Sequence, residues 1–130
     1  MNNLTVLVLL PVTMLDRERF IDELWAQLPG STFFNTFEVW LKEYIFAHAV
    51  DPHTIGIIDT AALSTANRLT LKSSLENGSV GRNIIVLTHL VEDLAIPAEY
   101  NLQPMMAKTI SPHELFRQIQ RMHEKFRQTA

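Results

Sequence analysis

The chain has 130 residues, of which 47% are hydrophobic and 19% charged, with 11 Lys and Arg against 14 Asp and Glu. That length suits one domain over residues 1–130, large enough to bury a real core. An ordinary apolar content and a formal net charge of −3 exclude a disordered chain and a broad nucleic-acid footprint, and the lack of cysteine excludes disulfides, thiolate metal sites and cysteine nucleophiles.

The longest apolar run, Val6 to Val12, falls far short of the roughly 18 residues that suggest a membrane span. No Lys or Arg precedes it, so it lacks the basic start of a secretory signal. The expectation is a cytoplasmic protein without membrane contact. Gly and Pro are scattered, and no linker, low-complexity tract or repeat interrupts the chain.

Leu4 to Leu10 is short, branched and almost wholly apolar, the pattern of a strand buried on both faces in a parallel sheet. Pro11 ends it. A helix fits from Leu15 to Leu28, with Ile21, Leu24, Trp25 and Leu28 on one face and Pro29-Gly30 as its stop. Ser31 to Phe37 reads as a second strand. Val39 to Val50 reads as a helix apolar over most of its circumference, through Trp40, Leu41, Tyr44, Ile45 and Phe46. Such a helix is either core or a partner surface.

Thr54 to Ile58 is the third strand, with Asp59 at its carboxyl end. A helix over Ala61 to Leu75 follows, then a loop at Asn77-Gly78. Asn83 to Leu87 is the fourth strand, followed by Thr88. A short helix over Val91 to Ile96 is limited by Pro97, and Pro104 to Ala107 is a fifth strand ending at Lys108. In the last helix Ser111 is the N-cap, Pro112 takes the first position and Glu114 completes a capping box. Leu115, Ile119, Met122 and Phe126 form its core stripe, and Arg117, Arg121, Lys125 and Arg127 complement the dipole at its end.

This βαβαβαβαβα order predicts a doubly wound, five-stranded parallel sheet in a three-layer α/β/α sandwich of the flavodoxin or CheY kind. Ligands and chemistry gather at the carboxyl ends of such strands. Asp59, Thr88 and Lys108 follow the third, fourth and fifth strands, so an acid, a hydroxyl and an ammonium stand at one rim.

The pieces Ile57-Ile58-Asp59, Ile84-Ile85-Val86-Leu87-Thr88 and Ala107-Lys108-Thr109-Ile110-Ser111-Pro112-His113-Glu114-Leu115 resemble a response-regulator receiver domain over essentially the whole chain. The resemblance implies that Asp59 is the equivalent of the phosphoacceptor aspartate, and that Thr88 and Lys108 are equivalents of the phosphate contacts. It also implies a Mg²⁺ ion on an acidic pair after the first strand, offsetting the charge of acceptor and phosphate.

The chain departs from that pattern in four places. Leu10 and Pro11 stand where the acidic pair belongs, and neither side chain offers the oxygen that Mg²⁺ needs. His89 replaces the small residue after the hydroxyl, Thr109 the proline after the lysine, and Met105 the aromatic switch residue.

The expectation is therefore a degenerate (pseudo-) receiver. It would be a non-enzymatic regulatory module acting by protein–protein contact, without metal or other cofactor and without Mg²⁺-assisted phosphorylation. Its partner, or a second copy in a homodimer, would meet the last two helices and the fifth strand, by analogy with receivers. The module would be a stand-alone regulator or the receiver of a longer protein with an output domain, such as one for transcription regulation. One alternative is a receiver still phosphorylated on Asp59 by a histidine kinase. Another is a small flavodoxin-like ligand-binding domain. The plainer readings are an Asp59–Lys108 ion pair and a Thr88 that satisfies backbone groups. His48, His53, His89, His113 and His123 show no metal-ligand spacing, no serine lies in a nucleophile elbow, and Asn77-Gly78-Ser79-Val80-Gly81 precedes a strand, which argues against a phosphate loop.

Overall fold

A computed structural model describes residues 4–129, with side chains through Lys125. The elements are β1 (Val6–Leu9), α1 (Arg17–Gln27), β2 (Ser31–Phe34), α2 (Phe37–Val50), β3 (Ile55–Asp59), α3 (Thr65–Glu76), β4 (Ile84–Thr88), α4 (Ala95–Tyr100), β5 (Gln103–Met106) and α5 (Pro112–Thr129). All strand pairs are parallel, in the order β2-β1-β3-β4-β5. The chain is thus a doubly wound α/β protein of the flavodoxin or CheY kind.

β1, β3 and β4 are buried at every position because helices cover both faces. On one face, Val6, Val8, Ile55, Ile57, Ile85 and Leu87 pack against Phe20, Leu24 and Leu28 of the α1 segment and Leu115 and Ile119 of α5. On the other, Leu7, Leu9, Ile58, Ile84 and Val86 meet Phe37, Trp40 and Tyr44 of α2, Leu71 and Leu75 of α3 and Tyr100 of α4. Trp40 Nε1 also donates to the Leu7 carbonyl at 3.0 Å, which fixes α2 over β1.

Several boundaries move from the sequence reading. The second strand ends at Phe34, and Phe37 opens α2 as a buried residue. Ala61 and Ala62 belong to a 3₁₀ turn (Thr60–Ala62), because Ser64 starts α3 by accepting the Asn67 N–H at 3.1 Å. Val91–Leu94 is likewise a 3₁₀ turn, after which α4 runs past Pro97 to Tyr100. Pro97 sits in the first turn of α4, where its missing N–H breaks no helical bond. The fifth strand is Gln103–Met106, an edge strand, which is why it tolerates Pro104.

Two helix faces also differ. On α1 the buried residues are Phe20 and Leu24, while Trp25 is exposed. On α2 the aromatic side chains divide: Phe37, Trp40 and Tyr44 are core, and Val39, Phe46 and Val50 face solvent. In α5 the Ser111 hydroxyl accepts the Glu114 N–H at 3.1 Å, and Leu115 and Ile119 are buried with Met122 packed against them. Phe126 and Arg127 lie outside the described side chains.

Candidate functional site

The strand register brings the rim residues to one end of the sheet. Asp59 of β3 is level with Leu87 of β4, and Thr88 is level with Met106 of β5. The carboxyl ends of β1, β3 and β5 open onto a cleft of about 670 Å³. Its polar lining includes Asp59, His89, Lys108, Asp16 and Arg19, and its apolar walls include Met14, Phe20, Ile110 and Pro112.

Asp59 is 2% exposed, and its carboxylate is committed. Oδ1 accepts the Ala61 N–H at 2.9 Å, capping the 3₁₀ turn, and meets His89 Nε2 at 2.6 Å. With His89 protonated this is an ion pair, and with His89 neutral the ring donates a hydrogen bond. The Asp59–Lys108 ion pair suggested by the sequence does not form. Lys108 is exposed and makes no hydrogen bond or ion pair with any described residue.

Thr88 is 1% exposed and turns away from Asp59. Its hydroxyl donates to the Met105 carbonyl at 3.1 Å across the β4–β5 pair, and it does not line the cleft. The sequence grouped Asp59, Thr88 and Lys108. The structure groups Asp59, His89 and Lys108 and gives Thr88 a bond between strands.

The loop after β4 is held by Asp93, which the sequence reading did not single out. Asp93 accepts the His89 N–H at 2.9 Å, the Leu90 N–H at 3.0 Å and Arg68 Nη2 at 3.1 Å. The Thr60 hydroxyl lies 2.8 Å from Asp93 Oδ2 and 3.1 Å from the Leu87 carbonyl oxygen, donating to one at a time. Burial raises the Asp93 pKa, but the two backbone N–H groups, Thr60 and Arg68 together outweigh it and hold the carboxyl at about 2. Asp93 thereby joins α3, the turn after β3 and the loop that carries His89. The signal in the sequence was an Asp three residues after Leu90, the spacing at which a carboxylate meets free backbone N–H groups at a turn.

The acidic pair of a receiver has no counterpart here. Leu10 and Pro11 are buried at the end of β1. Asp16, the nearest acid, is an exposed residue in the left-handed region (φ 54°) at the start of α1. Among the described residues, no three His, Asp or Glu side chains gather as a metal site. With one Asp59 oxygen bonded to His89, the residues present do not fit a Mg²⁺ ion, which takes oxygen ligands in octahedral geometry.

Comparison with protein-family models, with curated proteins and with solved structures returns no match. Among the described residues, no helix is long and apolar enough to cross a membrane.

Proposed function

We propose that this chain is a degenerate receiver: a cytoplasmic regulatory module that works through protein–protein contact and not as an enzyme. The observation that carries the reading is the acceptor carboxylate already engaged by a histidine. Asp59, the equivalent of the phosphoacceptor, is buried beneath His89 at 2.6 Å. Two supports accompany it. Leu10 and Pro11 supply no metal ligand, and Thr88 is bonded to β5 instead of waiting for a phosphoryl group. Two anionic partners approach each other only with cations between them, and Lys108, unpaired among the described residues, leaves the acceptor and the phosphate under-compensated.

The contact face in this reading is the one around α4, β5 and α5, where Leu90, Val91, Leu94 and Met106 are exposed. Its occupant is a regulatory protein or a second copy of the chain.

The test is a backbone amide NMR titration with Mg²⁺ and then beryllofluoride, a mimic of the phosphoryl group. The expected result is no cluster of shifts around Asp59, Thr88 and Lys108 at millimolar Mg²⁺. Shifts there that vanish in Asp59→Asn would overturn this reading in favour of a receiver phosphorylated by a histidine kinase.

A further inference from the structure

The rim cleft has the size and make-up of a small-molecule site. About 670 Å³ lies within the range of pockets that enclose small ligands, and such pockets combine apolar walls with a few convergent polar groups. Its place is also the one the topology favours. β1 lies between β2 and β3, so the connections on its two sides diverge at its carboxyl end. Open α/β sheets bind ligands in that crevice.

The charges in the cleft narrow the ligand class. Arg19 and Glu23 neutralise each other at 3.0 Å. Asp59 is matched by His89 at 2.6 Å. Lys108 is the cation left without a partner among the described residues, and Asp16 stands as a further acid on the lining. Lys108 offers one cationic contact to a ligand carboxylate, and Asp16 and Asp59 on the same lining disfavour a second negative charge on the ligand. Because Asp59 holds His89 Nε2, the ring is oriented and Nδ1 is the nitrogen left to meet a ligand. Met14, Phe20, Ile110 and Pro112 give an apolar body a surface to cover.

We infer that the cleft is a binding site for a small carboxylate with an apolar body. Its carboxylate meets Lys108, its polar edge meets His89, and its apolar part lies against Met14, Phe20 and Ile110. Such a ligand gives the module an input that needs neither metal nor phosphoryl transfer. The inference goes beyond the degenerate-receiver reading, and the two fail separately: beryllofluoride binding sinks that reading, whereas this one stands or falls on a carboxylate without Mg²⁺.

The experiment is an amide NMR titration of the full chain with benzoate, with benzamide as the uncharged isostere. Benzoate is expected to give saturable shifts at millimolar concentration that cluster on Met14, Phe20, His89, Lys108 and Ile110. Lys108→Met keeps the aliphatic stem of an exposed side chain, so it folds. It is expected to weaken benzoate by about tenfold or more, the loss of one charge-assisted contact. Ala61→Phe places a ring on an exposed lining position and is expected to block the titration. Benzamide binding as tightly as benzoate, an unchanged affinity in Lys108→Met, shifts scattered outside the cleft, or no saturable shift at all would each overturn the inference.

Discussion

At the scale of single residues, the rim is organised by two carboxylates with different tasks. Asp59 orients one imidazole and one backbone N–H, whereas Asp93 gathers two backbone N–H groups, a hydroxyl and a guanidinium. Asp93 is 7% exposed, so its bonds are little screened by water. Its carboxyl titrates at about 2 against an ordinary 3.8. A folded-state pKa below the unfolded one means that the unfolded chain binds the proton first. The stabilisation is therefore complete above pH ~4, is lost as pH falls toward 2, and amounts to about 2 kcal/mol. Urea unfolding between pH 5 and pH 2 measures it. Asp93→Asn is expected to be less stable at neutral pH by about 1–3 kcal/mol and to shed that part of the acid dependence. Parallel pH profiles for the two proteins would mean that Asp93 is not the anchor of the loop.

The same residues show where the sequence was legible. Asp59, Thr88 and Lys108 were found at the strand ends because a buried parallel strand ends abruptly in a polar residue, and all three do lie at the carboxyl end of the sheet. What each side chain does there was not legible. Thr88 chose between cleft and strand partner by its rotamer, and the Met105 carbonyl won. His89 was legible as a bulky intruder, but its bond to Asp59 depends on how the Asp93-anchored loop aims the ring.

At the scale of elements, the sequence pattern gave the order of strands and helices, while the fourth helix lay largely beyond its expected span and local capping decided the boundaries. Ser64 delays α3 and Pro97 joins α4, both through backbone hydrogen-bond chemistry that hydrophobic spacing does not encode. The packing of α2 on the sheet was half legible: an all-round apolar helix says that some face is buried, not which one. The face is set by Gly56 of β3. A Cβ built there would stand 2.6 Å from Ile84 Cδ1, 2.8 Å from Trp40 Cζ2 and 3.0 Å from Tyr44 Cε2. The missing side chain is what lets the stacked rings of Trp40 and Tyr44 lie against β3. Gly56→Ala is expected to cost about 1–3 kcal/mol, because the two rings cannot bend away as an alkyl end can. Chemical denaturation followed by tryptophan fluorescence checks it, and a loss below about 0.5 kcal/mol would show that α2 shifts freely over the strand.

At the scale of the whole molecule, exposed apolar side chains among the described residues include isolated ones such as Leu69 and two groups on separate elements. One surrounds the ends of β4 and β5, at Leu90, Val91, Leu94 and Met106; the other runs along α2, at Val39, Phe46 and Val50. Exposed apolar side chains that cluster mark contact surfaces more often than scattered ones do. The first cluster adjoins the edge strand β5, whose unpaired backbone groups and solvent-facing residues are open to a partner. It also rides on the loop fixed by Asp93, so a partner there meets a preorganised surface and pays little ordering entropy. A homodimer through this face is isologous, so one substitution acts twice in the same interface. Sedimentation equilibrium is the measurement. Val91→Glu and Met106→Glu are each expected to weaken self-association by about tenfold or more, since each buries two carboxylates in the dimer. Phe46→Glu, on α2, is expected to leave it unchanged. If Phe46→Glu disrupts the dimer and the other two do not, the contact face is α2. If the chain is monomeric at all concentrations, the homodimer reading fails, and the same two substitutions test whether any other protein uses the proposed face.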